Sequence, residues 1–318
     1  MPRIDASREG LRIVKSEPLL FPLELLWRWS FALGALGIIF LAMRPLVAAV
    51  QLTQMDKEML ASHNPDMIAG VLGDIVADLL PVIGTVLAWA LPALALLWAA
   101  AVTVGRAVTA RIILRKIVDE SARPLAAWTG ARWRAMAGIS MGRVFMGMIL
   151  FIGYVGAIFI ARWAQGLVPP RMSPLVSPLV FLSVFSISVG VWTVVNWFLS
   201  LAPLFVVRDG SDTLTAVAQA IHLTQTRGPE LRNVAIWNGL IRSVCAALFM
   251  IAGAVCIPLA RSAPEWVSGG LGTAIFVGYC VVSDYLLLVR FASYGVIAMY
   301  ETQMDSPGAE RSFANRHD

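Results

Sequence analysis

Polar side chains inside otherwise apolar segments are the first candidates for chemistry in this sequence. Five of them lie in three apolar stretches of the second half of the chain: Asn196, Asn238, Arg242, Asp284 and Arg290. Ionisable groups are costly in hydrocarbon, and those present usually face a partner or a polar cavity. Arg290 does not lie one turn from Asp284, so we expect Asp284 to pair with Arg242 of the neighbouring helix. The pair would either join two helices or line a cavity for a substrate or proton.

A second candidate region lies between Gly105 and Met141, where basic and aromatic residues are concentrated. Its members are Arg106, Arg111, Arg115, Lys116, Arg123, Trp128, Arg132, Trp133 and Arg134. Basic residues beside a membrane attract anionic lipid by about 1 kcal/mol each, and tryptophan prefers the membrane interface. The region therefore predicts a surface for anionic headgroups or a partner. The alternative interpretation is that these charges only set the topology.

Other kinds of site find no support in the residue pattern. The three histidines are scattered and the three cysteines lie in apolar stretches, so we expect no metal site and no disulfide framework. The motifs of nucleotide-binding loops, metalloproteases and serine hydrolases do not occur, and no cofactor is expected. Basic residues follow the apolar segments rather than forming a basic module with interleaved aromatics, which argues against nucleic-acid binding.

The composition indicates what must position these side chains. Apolar residues make up 58% of the chain and charged residues 14%, against about 45–50% and about 25% in soluble domains. Segments of about 20 apolar residues can cross a bilayer as helices, and the absence of period-two alternation argues against a barrel. We predict an all-α, polytopic transmembrane helix bundle with six spans, at residues 27–50, 80–104, 142–164, 176–207, 234–260 and 271–300.

The distribution of basic residues predicts the orientation of the bundle. Most of the 25 Lys and Arg residues fall in the N-terminal tail (1–26), the second-to-third and fourth-to-fifth connections, and the C-terminal end. Six spans place these segments on one side, and the positive-inside rule assigns that side to the cytoplasm. We therefore expect both termini in the cytoplasm and the chain in the inner membrane of a bacterium. Residues 301–318 are polar and expected to be disordered.

Three local patterns complete the prediction. The apolar positions of residues 67–78 recur at helical spacing after Asn64-Pro65, which predicts a short amphipathic helix on the outer surface. Ser211 or Asp212 is expected to cap a helix that Gly228-Pro229 ends. Gly138 and Gly142 permit close helix approach, within one chain or between copies in a homo-oligomer.

The segment from Asn196 to Arg227 reads NWFLSLAPLFVVRDGSDTLTAVAQAIHLTQTR. A span ending in APLFVVRDG, followed by a short Ala-rich helix that ends near a basic residue, resembles a loose group of bacterial six-helix membrane proteins. One type is the membrane domain found ahead of some glycerophosphodiester phosphodiesterases. The resemblance implies a six-helix membrane fold. It transfers neither activity nor site residues, because this sequence does not contain the phosphodiesterase barrel.

Three functions remain in view. The first is a non-enzymatic integral membrane protein with a scaffolding, envelope or accessory role. The second is a small-molecule or lipid transporter with Asn196, Arg242, Asp284 and Arg290 along its path. The third is a membrane enzyme acting on lipid, which would need paired acids or a histidine near the interface. A continuous polar cavity would favour the transporter, and a dry, plugged bundle would favour the first function.

Overall fold

The computed structural model is helical through almost all of the residues it describes, which are 5–50, 52–62, 64–119, 129–167, 169, 173–261 and 264–304. Within these ranges it contains eight helices and no strand, which confirms the all-α prediction. They are α1 (Ala6–Ser16), α2 (Leu20–Ala49), α3 (Gln54–Ala61), α4 (Pro65–Asp119), α5 (Gly130–Gly166), α6 (Ser173–Asp209), α7 (Thr213–Arg261) and α8 (Glu265–Met304).

Six of the described helices are long and apolar enough to cross a membrane: α2, α4, α5, α6, α7 and α8. Their most apolar windows have mean hydropathies between 1.7 and 2.4. The chain is therefore a multi-pass helical membrane protein, as the apolar segments predict. The cytoplasmic location of the termini stays a prediction.

Several spanning helices are much longer than the hydrocarbon layer. α4 has 55 residues and α7 has 49, which at 1.5 Å per residue gives about 80 Å and about 74 Å. The hydrocarbon core is only about 30 Å thick. Each of these helices is therefore more than twice as long as the hydrocarbon core is thick.

Helix continuity corrects two of the local predictions. Residues 67–78 do not form a separate amphipathic helix but belong to the first turns of α4, which continues through Pro81. Asp212 does cap α7, since it accepts hydrogen bonds from Thr215 that lower its pKa. Gly228-Pro229 does not end α7. It produces a kink with non-helical backbone at Arg227, after which the helix resumes.

The chain divides into two compact units, which are described separately. The smaller unit covers residues 27–102 and contains most of α2, all of α3 and the first part of α4. In it α2 approaches α4 closely, since a Cβ placed on Gly34 would lie 2.8 Å from Leu97 Cδ2. A capping box between Thr53 and Asp56 begins α3.

The larger unit contains residues 1–26 and 103–318 and carries the main apolar core. Within it α5 packs on α6, α6 on α7, and α7 on α8. The large side chains that are fully buried are Leu20, Ile113, Leu114, Met136, Ile139, Leu201, Leu204, Phe205, Leu223, Leu231 and Leu288. They come from the parts of the helices nearest the α6–α7 turn, which we call the core end. Away from the core end, α5 to α7 mainly expose apolar side chains.

The N-terminal residues, expected only as a tail, form a docked helix. α1 buries four residues at helical spacing: Ala6, Gly10, Ile13 and Val14. Gly10 lies directly on α8, where an added Cβ would be 2.7 Å from the backbone nitrogen of Ser293. The side chain of Asp5 caps α1 by accepting from the Arg8 amide. Of residues 301–318, expected to be disordered, 301–304 form the end of α8 and 305–318 lie outside the described residues.

Candidate functional site

The predicted intramembrane polar residues occupy separate environments. Asn238 is buried and donates to the carbonyl of Val234 on its own helix, at 3.0 Å. Asn196, Asp284 and Arg290 are half-buried.

The proposed pairing of Asp284 is not observed. Arg242 is exposed on α7 and makes no ion pair with any residue in the described part of the chain. Arg290 instead places its guanidinium over the ring of Tyr294, with 5.6 Å to the centroid.

The structure contains a buried ion pair elsewhere, at the beginning of α2. Glu24 is 0% exposed, and its Oε1 lies 3.5 Å from Nη1 of Arg106 on α4. The hydroxyl of Thr109 donates to the other carboxylate oxygen at 2.8 Å. The Arg106 guanidinium also lies over the ring of Phe291, 4.7 Å from its centroid. We call these four residues the Glu24 cluster.

Helical spacing explains how the Glu24 cluster assembles. Leu20 and Glu24 are one turn apart on α2, and both are fully buried. Arg106 and Thr109 are likewise about one turn apart on α4, on the side that buries Ala110. A carboxylate in an apolar core is stable only when it is paired and hydrogen-bonded, and here both of its oxygens have partners. Glu24 has no exposed surface, and the cluster joins α2 to α4 and α8 inside the larger unit.

Sequence reasoning missed Glu24 because it assigned residues 1–26 to a polar tail. The segment from Leu19 to Leu26 is nevertheless an apolar run with one carboxylate and a proline. An isolated carboxylate in such a run is the signal that could have identified it.

Only some of the residues predicted for the anionic-lipid surface are exposed. Arg106 turns inward to Glu24, and its side chain is 15% exposed. Arg132 is 6% exposed. These two residues therefore do not belong to an exposed surface. The prediction included them because charge counting along the chain takes no account of which side of a helix a residue occupies.

Arg132 has a structural position at the turn between α6 and α7. Gly210 adopts a positive φ of 74° there, and a Cβ on it would lie 2.6 Å from Nη2 of Arg132. Glycine tolerates both this conformation and this close approach. The turn is therefore fitted against a buried guanidinium.

The other members of the predicted surface have different environments. Arg111, Arg115, Trp133 and Arg134 are exposed. Lys116 is half-buried and lies 3.4 Å from a carboxylate oxygen of Glu17. Arg123 and Trp128 lie outside the described residues.

A polar network joins α6, α7 and α8 at the core end. Arg208 donates to both carboxylate oxygens of Asp209, at 2.7 and 2.8 Å, and to the carbonyl of Ala298 at 2.7 Å. Gln219 donates to Asp209 at 3.2 Å and accepts from Ser211 at 2.9 Å. Charge-assisted bonds of this kind fix the geometry of the α6–α7 turn.

His222 also takes part in a contact between α7 and α8. Its Nδ1 lies 3.6 Å from Oε1 of Glu301, which also accepts a hydrogen bond from Thr226. Among the described residues no three His, Cys, Asp or Glu side chains are grouped so that they could hold a metal ion. The arrangement supports a structural contact between helices.

Comparisons of the chain with protein-family models, with curated proteins and with solved structures find no significant match.

Proposed function

We propose that this chain is a non-enzymatic integral membrane protein with a scaffolding or accessory role. In this proposal it lies in the cytoplasmic membrane of a bacterium, with both termini and the core end on the cytoplasmic side. The observation that carries the proposal is the closure of the core end of the larger unit by large apolar side chains.

Among the described residues, large apolar side chains fill the centre of the core end, which supports the proposal. Leu201, Leu204 and Phe205 of α6 are at most 1% exposed, and Leu288 of α8 is fully buried. Protein interiors packed with such side chains contain few voids larger than a water molecule. A transporter would need polar groups arranged along a path that opens to each side in turn.

Three buried polar side chains of this unit have hydrogen bonds within or between helices. Ser293 donates to the carbonyl of Val289 and Ser140 to that of Met136, each on its own helix. Thr103 donates to the Ser140 hydroxyl at 2.9 Å and so joins α4 to α5. These groups stabilise the bundle without presenting a surface for a substrate.

Cysteine accessibility tests the proposal directly. Cys245, Cys256 and Cys280 are first replaced by Ala, and single cysteines are then placed at Ala202 or Ala292. Both positions are 0% exposed. Vesicles of each orientation are treated with a membrane-impermeant maleimide. A dry plug predicts that neither position is labelled from either side.

Two exposed positions serve as controls and test the orientation. Thr215→Cys at the start of α7 should be labelled only from the cytoplasmic side. Ser62→Cys, which follows α3, should be labelled only from the opposite side. Labelling of Ala202→Cys or Ala292→Cys from one or both sides, with the controls intact, would overturn the scaffold proposal in favour of a transporter. Labelling of both controls from one side would overturn the six-span orientation.

A further inference from the structure

The last part of α4 exposes one stripe of residues that changes character along its length. Val104, Val108, Arg111 and Arg115 are all exposed, and their spacing places them on one side of the helix. The stripe is apolar at its first two positions and cationic at the last two. The change occurs within about 5 Å along the helix axis. A surface that crosses from hydrocarbon to headgroups has this order.

The first part of α5 repeats the pattern in the opposite chain direction. Arg134, Met141 and Phe145 are exposed at spacings that place them on one side of α5. Trp133 adjoins Arg134 and is also exposed. Tryptophan is enriched where membrane meets water. On α5, too, a cation therefore marks the end of an exposed apolar stripe.

The two stripes reach the same level of the bundle. Thr103 of α4 is hydrogen-bonded to Ser140 of α5, which sets the register of the two helices. From this contact Arg111 lies about 12 Å along α4 and Arg134 about 9 Å along α5, both towards the core end. We call Arg111, Arg115, Arg134 and Trp133 the arginine belt.

We propose that the arginine belt binds the headgroups of anionic phospholipids. Guanidinium groups can hold a lipid phosphate through two hydrogen bonds. The acyl chains would then lie along the adjoining apolar positions, Val104 and Val108 on α4 and Met141 and Phe145 on α5. A soluble phosphate would leave those apolar side chains unused, so the joined cationic and apolar surface favours a lipid. This binding does not depend on the scaffolding role.

The test compares two variants that lose the same number of positive charges. Arg111→Gln with Arg115→Gln removes two cations of the belt. The matched control, Arg8→Gln with Arg12→Gln, removes two exposed cations of α1 that already pair with Asp5 and Glu9. Each protein is purified in a neutral detergent. It is then exposed to an equimolar mixture of phosphatidylglycerol and phosphatidylcholine, and the lipids retained are counted by native mass spectrometry.

The wild-type chain should retain phosphatidylglycerol in preference to phosphatidylcholine, and raised salt should weaken this preference. Each belt arginine should contribute about fivefold to the ratio of retained phosphatidylglycerol to phosphatidylcholine. The double belt variant should therefore lower this ratio about 25-fold. Arg134→Gln should lose about fivefold alone. The α1 control should retain most of the preference.

Three results would overturn the proposal. The first is a belt variant that keeps the wild-type lipid ratio and the wild-type thermal unfolding. The second is an equal loss of the lipid ratio in both double variants, which would indicate a general effect of net charge. The third is complete displacement of the lipid by inorganic phosphate at millimolar concentration, which would assign the site to a soluble anion. Labelling of Ala202→Cys or Ala292→Cys would overturn the scaffold proposal without changing the ratio of retained lipids. The two proposals can therefore fail separately.

Discussion

The Glu24 cluster allows the sharpest prediction, because its two charges are buried and the pair can be removed one side at a time. Glu24 is 0% exposed and the Arg106 side chain 15% exposed. Removing one partner of a buried pair costs about 3–5 kcal/mol, since the remaining charge is left uncompensated. We expect Glu24→Leu and Arg106→Met each to lower the free energy of unfolding by about 3 kcal/mol.

The double variant should recover much of this loss. Replacing both members of a buried ion pair by apolar residues leaves no uncompensated charge. Independent effects would sum to about 6 kcal/mol, whereas the double variant of the coupled pair should lose about 1 kcal/mol or less. Thr109→Val provides an internal scale. It removes a hydrogen bond to a charged group, which is worth about 1.5–3 kcal/mol.

The assay is reversible unfolding in mixed detergent micelles, followed by circular dichroism at several denaturant concentrations. All four variants and the wild-type chain are compared under one set of conditions. If the double variant of Glu24 and Arg106 loses the full sum of the single losses, the two side chains do not interact and the reasoning is refuted. Single losses below about 0.5 kcal/mol, the range of ordinary surface substitutions, would refute the burial of the pair.

Three further predictions concern particular contacts. Gly10→Ala should undock α1 from α8, because the new Cβ would meet the backbone of Ser293. Trypsin should then cleave within α1 faster than in the wild-type chain. Gly210→Ala should lower the free energy of unfolding by about 1–2 kcal/mol, since φ is positive there and the methyl group would meet Arg132. The hydrogen bonds from Thr53 of the capping box lower the pKa of Asp56. The contribution of Asp56 to the stability of α3 is therefore present above the unfolded-state pKa and is lost as the pH falls through the folded-state pKa. An NMR titration of Asp56 should show a midpoint below 3.8.

Each of these predictions has a control. Gly37→Ala in α2 has open space around the added methyl group and should leave stability unchanged or raised by up to about 1 kcal/mol. Unchanged cleavage of the Gly10 variant would mean that α1 does not lie on α8. Thr53→Val should return the Asp56 midpoint towards its ordinary value, and a midpoint that stays in place would exclude the Thr53 hydroxyl as its cause. Equal stability of the Gly210 variant would contradict the close approach of Arg132.

The sequence by itself determined the class of fold and the number of spanning helices. Both follow from a property that is local in the chain, because any segment that crosses hydrocarbon must be apolar over about 20 residues and must satisfy its own backbone as a helix. Helix ends were harder to predict. Both α4 and α7 continue beyond the apolar segments that predict the spans. In α7, Gly228-Pro229 bends the helix without ending it.

Only the tertiary structure decided what the charged residues do. Arg106 and Arg111 belong to the same basic segment of the sequence, yet one pairs with a buried carboxylate and the other lies on an exposed stripe. Helical periodicity separates the two sides of α4, but it does not show that Glu24 is the group facing Arg106. That contact joins residues far apart in the chain, and it exists because α2 and α4 pack together there. The fold therefore assigns some cations to internal pairing and leaves others to the surface, which composition and charge counting cannot distinguish.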